Sequence, residues 1–118
     1  MRRYVLAGIL SLILPLVLNA IAVASEKSVT GTLEDSFCYV TMGAHGASHQ
    51  KCAMGCAKKG IPVLLVEDKT EKYYVLLPPK DAQSLPDDVI NKMEDQVTVT
   101  GTEYSKGGMT FLTVNSVK

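Results

Sequence analysis

The feature that most constrains this 118-residue chain is a period of two near its C-terminus. Val97-Thr98-Val99-Thr100-Gly101-Thr102-Glu103-Tyr104 alternates apolar or small residues with polar ones, and Met109 to Val117 alternates again. Successive side chains on a strand point to opposite faces, whereas a helix would scatter Val97, Val99 and Gly101 around its axis. With the turn-forming Ser105 to Gly108 between them, the two runs predict a β-hairpin that buries one face. A lone hairpin is marginal in water, so the rest of the chain has to supply its cover.

Three further runs are candidate strands. Val29-Thr30-Gly31-Thr32-Leu33 alternates and continues toward Phe37-Cys38-Tyr39-Val40, and the apolar runs Ile61 to Val66 and Lys72 to Leu77 flank a polar link, Glu67 to Glu71. Gly43 to Ser48 is a loop by composition. Ala47 to Lys59 reads as a helix, with Ser48 as a possible cap, Lys58 and Lys59 at its C-terminus, Gly60 at C′ and Pro62 beyond. Pro78 and Pro79 stop the run before them, and Asp87 to Met93, behind Pro86, suits a short helix. The order strand, helix, hairpin, weak helix, hairpin predicts a mainly β fold. It suits a small five-stranded OB-like Greek-key barrel with a short Cys-bearing helix after the first strand.

Residues 1–24 read as a signal peptide, leaving 25–118 as a single domain. Arg2 and Arg3 precede the apolar stretch Val5 to Leu18, and Ala22-Val23-Ala24 before Ser25 fits a small-residue cleavage site. Val5 to Ala24 reaches the roughly 20 residues of a spanning helix only by including Ser11, Pro15 and Asn19. An uncleaved anchor is the alternative, and membrane contact is expected only through that segment. The expected location is periplasmic or secreted. Cleavage removes both arginines, leaving ten lysines against twelve acids. Without a basic excess there is no footprint for a nucleic-acid backbone.

All three cysteines and both histidines, Cys38, His45, His49, Cys52 and Cys56, fall within nineteen residues. On a helix His49, Cys52 and Cys56 share one stripe, and Cys38 could face it from the first strand. Thiolates and imidazoles together are the ligand set of zinc or copper, so these five residues are the candidate metal ligands. Helical rise sets His49 and Cys56 about 10 Å apart along one axis, which strains a shared ion. The expected core is therefore Cys38, Cys52 and Cys56, completed by His45 from the loop, or by His49 if the helix begins after it.

Two other readings of the cluster stay open. An exported domain ordinarily oxidises its cysteines, and Cys38 could bridge to Cys52 or Cys56, leaving one thiol over. The protein would then be a disulfide-stapled module binding a protein, carbohydrate or other small-molecule partner. Thiol-redox catalysis is the third reading, although no Cys-x-x-Cys, haem-attachment Cys-x-x-Cys-His, phosphate loop or Gly-x-Ser-x-Gly elbow is present. No catalytic residue is assigned, and a non-enzyme is favoured. Met42 and Met54 are thioethers that would suit copper but serve more often as core filler. Tyr73, Tyr74, Tyr104 and Phe111 are expected to pack on strand faces, and Asp81, Asp87, Asp88, Glu94 and Asp95 to form a solvated face.

The strand motifs at both ends resemble those of secreted bacterial OB-fold proteins. The pattern Cys38-Tyr39, His49, Cys52-Ala53, Cys56, Gly60, Pro62 resembles small exported bacterial proteins of uncharacterised role. The resemblance implies a binding scaffold and supplies no ligand.

Overall fold

The computed structural model describes residues 26–118; the signal peptide expected at 1–24 lies outside the described residues. Among the described residues there are six strands: β1 (Glu26–Asp35), β2 (Val63–Glu67), β3 (Tyr73–Leu77), β4 (Gln96–Lys106), β5 (Met109–Thr113) and the short β6 (Ser116–Val117). The sheet runs β1-β2-β3-β5-β4-β6, and β1 also pairs with β4. That last pairing closes five strands into a barrel and leaves β6 as an extra strand on β4. All pairings are antiparallel except β3 with β5, where Val75 faces Phe111. This is the mainly β, small five-stranded barrel expected from the sequence.

The period of two lines the interior. Val97 and Val99 of β4, Val29 and Leu33 of β1, Leu65 of β2, Tyr74 and Leu76 of β3 and Leu112 of β5 form one buried cluster. Tyr74 is 1% exposed, and Lys27 and Lys72 lie 5.2 and 4.8 Å from its ring centroid, in reach of its π face. Tyr73 turns outward and meets Tyr39 edge-on at 5.8 Å. Tyr104 sits opposite Phe111 across the terminal hairpin.

Two glycines let the barrel close. A Cβ on Gly31 would stand 2.7 Å from the Val66 carbonyl carbon, and one on Gly101 would stand 2.7 Å from that of Thr113. Such approaches exclude any side chain, so these glycines mark where neighbouring backbones touch. At Gly101 strand β4 changes partner, from Ser116 opposite Thr100 to Leu112 opposite Glu103.

Among the described residues three short helices fill the connections: α1 (Ser36–Met42), α2 (Gln50–Lys58, entered through a 3₁₀ turn at Ala47–His49) and α3 (Asp87–Ile90). The expected continuation of the first strand into Phe37 to Val40 is not observed. Asp35 ends β1, its side chain accepts a hydrogen bond from the Cys38 N–H, and Gly43 closes α1 in the left-handed conformation. A strong cap at each end outweighs the β propensity of Phe37, Tyr39 and Val40. The helix expected from Ala47 begins at Gln50, and no side chain caps it, Ser48 included. Its C-terminus follows expectation, with Lys58 in the last turn and Gly60 at φ 87°. Ala53 of α2 is fully buried against the barrel core, which fixes the roll of that helix.

Candidate metal centre

Cys38 therefore lies in the first turn of a helix, three residues past the end of the strand on which the sequence places it. The Asp35 cap sets the start of α1 so that Cys38, 5% exposed, is the buried residue of that helix. On α2, Cys52 and Cys56 lie one turn apart; Cys52 is exposed and Cys56 half-buried. Ala53 faces the core, so the adjacent stripe bearing Cys52 and Cys56 is carried round toward α1. The three sulfurs lie within 4.8 Å of one another, and none is in a disulfide.

These distances suit a metal. Three sulfurs at about 2.3 Å from one tetrahedral ion stand about 3.8 Å apart, so a small contraction of the trio completes three metal–sulfur bonds. Burial pushes the Cys38 thiol up to about 12, with the neighbouring Asp35 acting in the same direction. Burial also raises Cys56, followed by the Asp35 charge. Without a cation both thiols hold their protons, and a bound metal would displace them.

A second group of potential ligands overlaps the first. Asp35, Cys38 and His49 each offer an atom within 4.8 Å of the others. Asp35 is fully buried. Its Oδ1 accepts from the Cys38 N–H at 2.8 Å, and its Oδ2 lies 2.7 Å from His49 Nε2. Burial alone would raise its carboxyl, but the hydrogen bonds from Cys38 and His49 prevail and hold it below the usual aspartate value.

Behind His49 stands Glu94. Its Oε1 is 4.0 Å from Nε2, and its Oε2 accepts from the Gly46 N–H at 2.7 Å, steadying the turn that carries His49. Glu34 is also buried, and its Oε2 and the Glu94 Oε1 have no hydrogen-bond partner. Burial first, then the neighbouring Glu94, raises the Glu34 carboxyl to about 8. A proton retained on Glu34 relieves the like-charge repulsion that two ionised carboxylates would suffer there.

The structure thus gathers Cys38, Cys52 and Cys56 and brings His49 to Cys38. His45 is exposed and lines a separate polar cleft of about 360 Å³ with Glu34, Tyr39 and Glu71. Met54 packs against the core, and Met42 is 64% exposed. Sequence reasoning missed Asp35, Glu34 and the burial of Glu94. Asp35 carried a readable signal as an N-cap residue three positions before Cys38, whereas nothing local linked Glu94 to His49. No family model, curated protein or solved structure matches the chain.

Proposed function

We propose that the protein is an exported metal-binding domain that holds one Zn(II) or Cu(I) ion through the thiolates of Cys38, Cys52 and Cys56. The observation that carries this reading is the convergence of three unpaired sulfurs from two separate helices to within 4.8 Å. Three thiolates in one place form a soft, threefold-negative donor set, which zinc and Cu(I) take in preference to magnesium or calcium. Export, to a periplasm or the medium, rests on the leader, and kinship with exported bacterial OB-fold proteins rests on the strand order and the leader together.

The test is intact mass of native and denatured protein purified from the exported compartment. One equivalent of metal over three reduced cysteines is the expected result. A metal-free chain two mass units lighter would refute it and identify the disulfide-stapled binding module. That second reading draws support from Phe37, Val40 and Met42, each more than half exposed on α1 and available to a partner.

A further inference from the structure

The sulfur trio leaves one group of converging donors unused. Asp35, Cys38 and His49 each offer an atom within 4.8 Å of the others, and Cys38 belongs to this group and to the trio alike. The His49 nitrogen that meets Asp35 is Nε2, 2.7 Å from Oδ2. The cap of α1 uses the other oxygen, Oδ1, so Oδ2 is able to change partner without releasing the Cys38 N–H.

Charge around this group is out of balance. Glu34, Asp35 and Glu94 are all buried. Among the described residues, the only basic side chain within 4.0 Å of any of them is His49. A proton kept on Glu34 accounts for one of the three acids. That leaves two carboxylates and one imidazole in a place from which water is largely excluded. Buried carboxylates are ordinarily paired or bound to a metal. Glu94 Oε1 is buried without a hydrogen-bond partner and stands 4.0 Å from Nε2. A divalent cation beside Asp35 and His49 would offset both charges at once.

The donor types narrow the ion. One carboxylate, one imidazole and one thiolate together suit zinc, whereas magnesium and calcium take oxygen ligands and Cu(I) prefers sulfur. Two donors of one tetrahedral zinc stand about 3.4 Å apart, so Oδ2 and Nε2 need to open by less than ~1 Å. The hydrogen between them moves to Nδ1 and the ion takes its place.

We propose that Asp35, Cys38 and His49 hold a second divalent ion of the zinc type, with the Cys38 thiolate bridging it to the ion of the sulfur trio. The proposal rests on the thiolate reading above for the first ion and adds the second. Three thiolates outcompete one, so the trio fills first and the second site loads only in excess zinc. The first ion has by then displaced the Cys38 proton and left the trio with surplus negative charge, which favours the second cation.

The experiment compares wild type, His49→Gln, Asp35→Asn, His45→Ala and the double variant Cys52→Ser/Cys56→Ser, each as the full chain, exported, purified and reduced. Zinc is titrated to excess and counted by native mass spectrometry, with affinities from chelator competition. Cadmium-113 NMR reads the environment of each ion. Wild type is expected to take a tight first ion and a weaker second one, and its two cadmium resonances to be split by coupling through the shared sulfur. His49→Gln and Asp35→Asn keep the first ion and lose the second, and His45→Ala keeps both. The double variant keeps a single, weakly held ion. A wild type that stops at one ion in excess zinc would overturn the proposal, as would a second ion retained in both His49→Gln and Asp35→Asn. Two uncoupled cadmium resonances would overturn the bridge. Failure of the thiolate reading looks different: the double variant then binds its first ion as tightly as wild type. Thermal melts of the metal-free variants separate ligand loss from misfolding.

Discussion

Adding one methyl group at Gly101 tests how the barrel closes. An alanine Cβ there would stand 2.7 Å from the carbonyl carbon of Thr113 and nearer still to its oxygen. The obstacle is backbone, so no side chain can swing aside. Strand β4 must move at the point where Lys27 pairs with Gly101 and β4 passes from β6 to β5. Overpacking of this kind costs about 1–3 kcal/mol, and a backbone-on-backbone clash belongs at the upper end. A domain of 60–100 residues loses about 4–8 °C of Tm per kcal/mol, so Gly101→Ala is expected to melt about 12–24 °C below wild type. Gly55→Ala is the internal control. It lies inside α2 with nothing within 4 Å of the added Cβ, so the change should stabilise by about 0.5–1 kcal/mol through helix propensity. Differential scanning calorimetry of the metal-free proteins in chelator measures both. A Gly101→Ala protein within 0.5 kcal/mol of wild type, or one less affected than Gly55→Ala, would refute the close-approach argument.

Other perturbations address the buried acids and the thiols. The Glu34 carboxyl is raised from 4.5 to about 8 on folding, so the folded state binds the extra proton between those values. Stability is then fully present below pH 4.5 and declines as pH rises toward 8. Urea titrations of metal-free protein should show a loss on the order of a few kcal/mol across that window, and Glu34→Gln should flatten it; a wild type that grows more stable from pH 5 to 8 would contradict the assignment. Asp35→Ala removes the cap of α1 and leaves the Cys38 N–H and His49 without their acceptor. It should cost about 1–2 kcal/mol of stability by chemical denaturation, whereas Asp35→Asn should recover most of the cap. Alkylation of metal-free protein followed by peptide mass mapping should label exposed Cys52 first and buried Cys38 last. One equivalent of zinc should protect all three, and uniform labelling in its presence would argue against a shared ion.

Much of the barrel was legible in the chain because its signals are local. The alternation of Val97 to Tyr104, the turn at Gly107-Gly108 and the apolar runs ending at Val66 and Leu77 each mark a strand without reference to anything distant. The main local misreading was at Phe37 to Val40, where aromatic and β-branched residues suggest strand. The Asp35 cap and the left-handed Gly43 turned that stretch into a helix. The candidate site divides in the same way. Clustering of Cys38, Cys52 and Cys56 is visible in the sequence, and so is the need to separate His49 from a helix that also carries Cys56. The choice between His45 and His49 was open, because His45 could reach the cysteines from the loop and His49 from just ahead of the helix.

By itself, then, the sequence determined a mainly β domain with one thiol-rich segment after its first strand, since periodicity, turns and residue spacing act over a few positions. Only the tertiary structure decided what surrounds that segment. Asp35 and Glu94 lie 59 positions apart, and both reach the ring of His49 because β1 and the turn before β4 are neighbours in the closed barrel, where the Glu94 N–H donates to the Leu33 carbonyl. Burial then gives those carboxylates their force. In water they would be two ordinary acids, but inside the fold Asp35 must be paired, and its bond to Nε2 orients the imidazole beside Cys38.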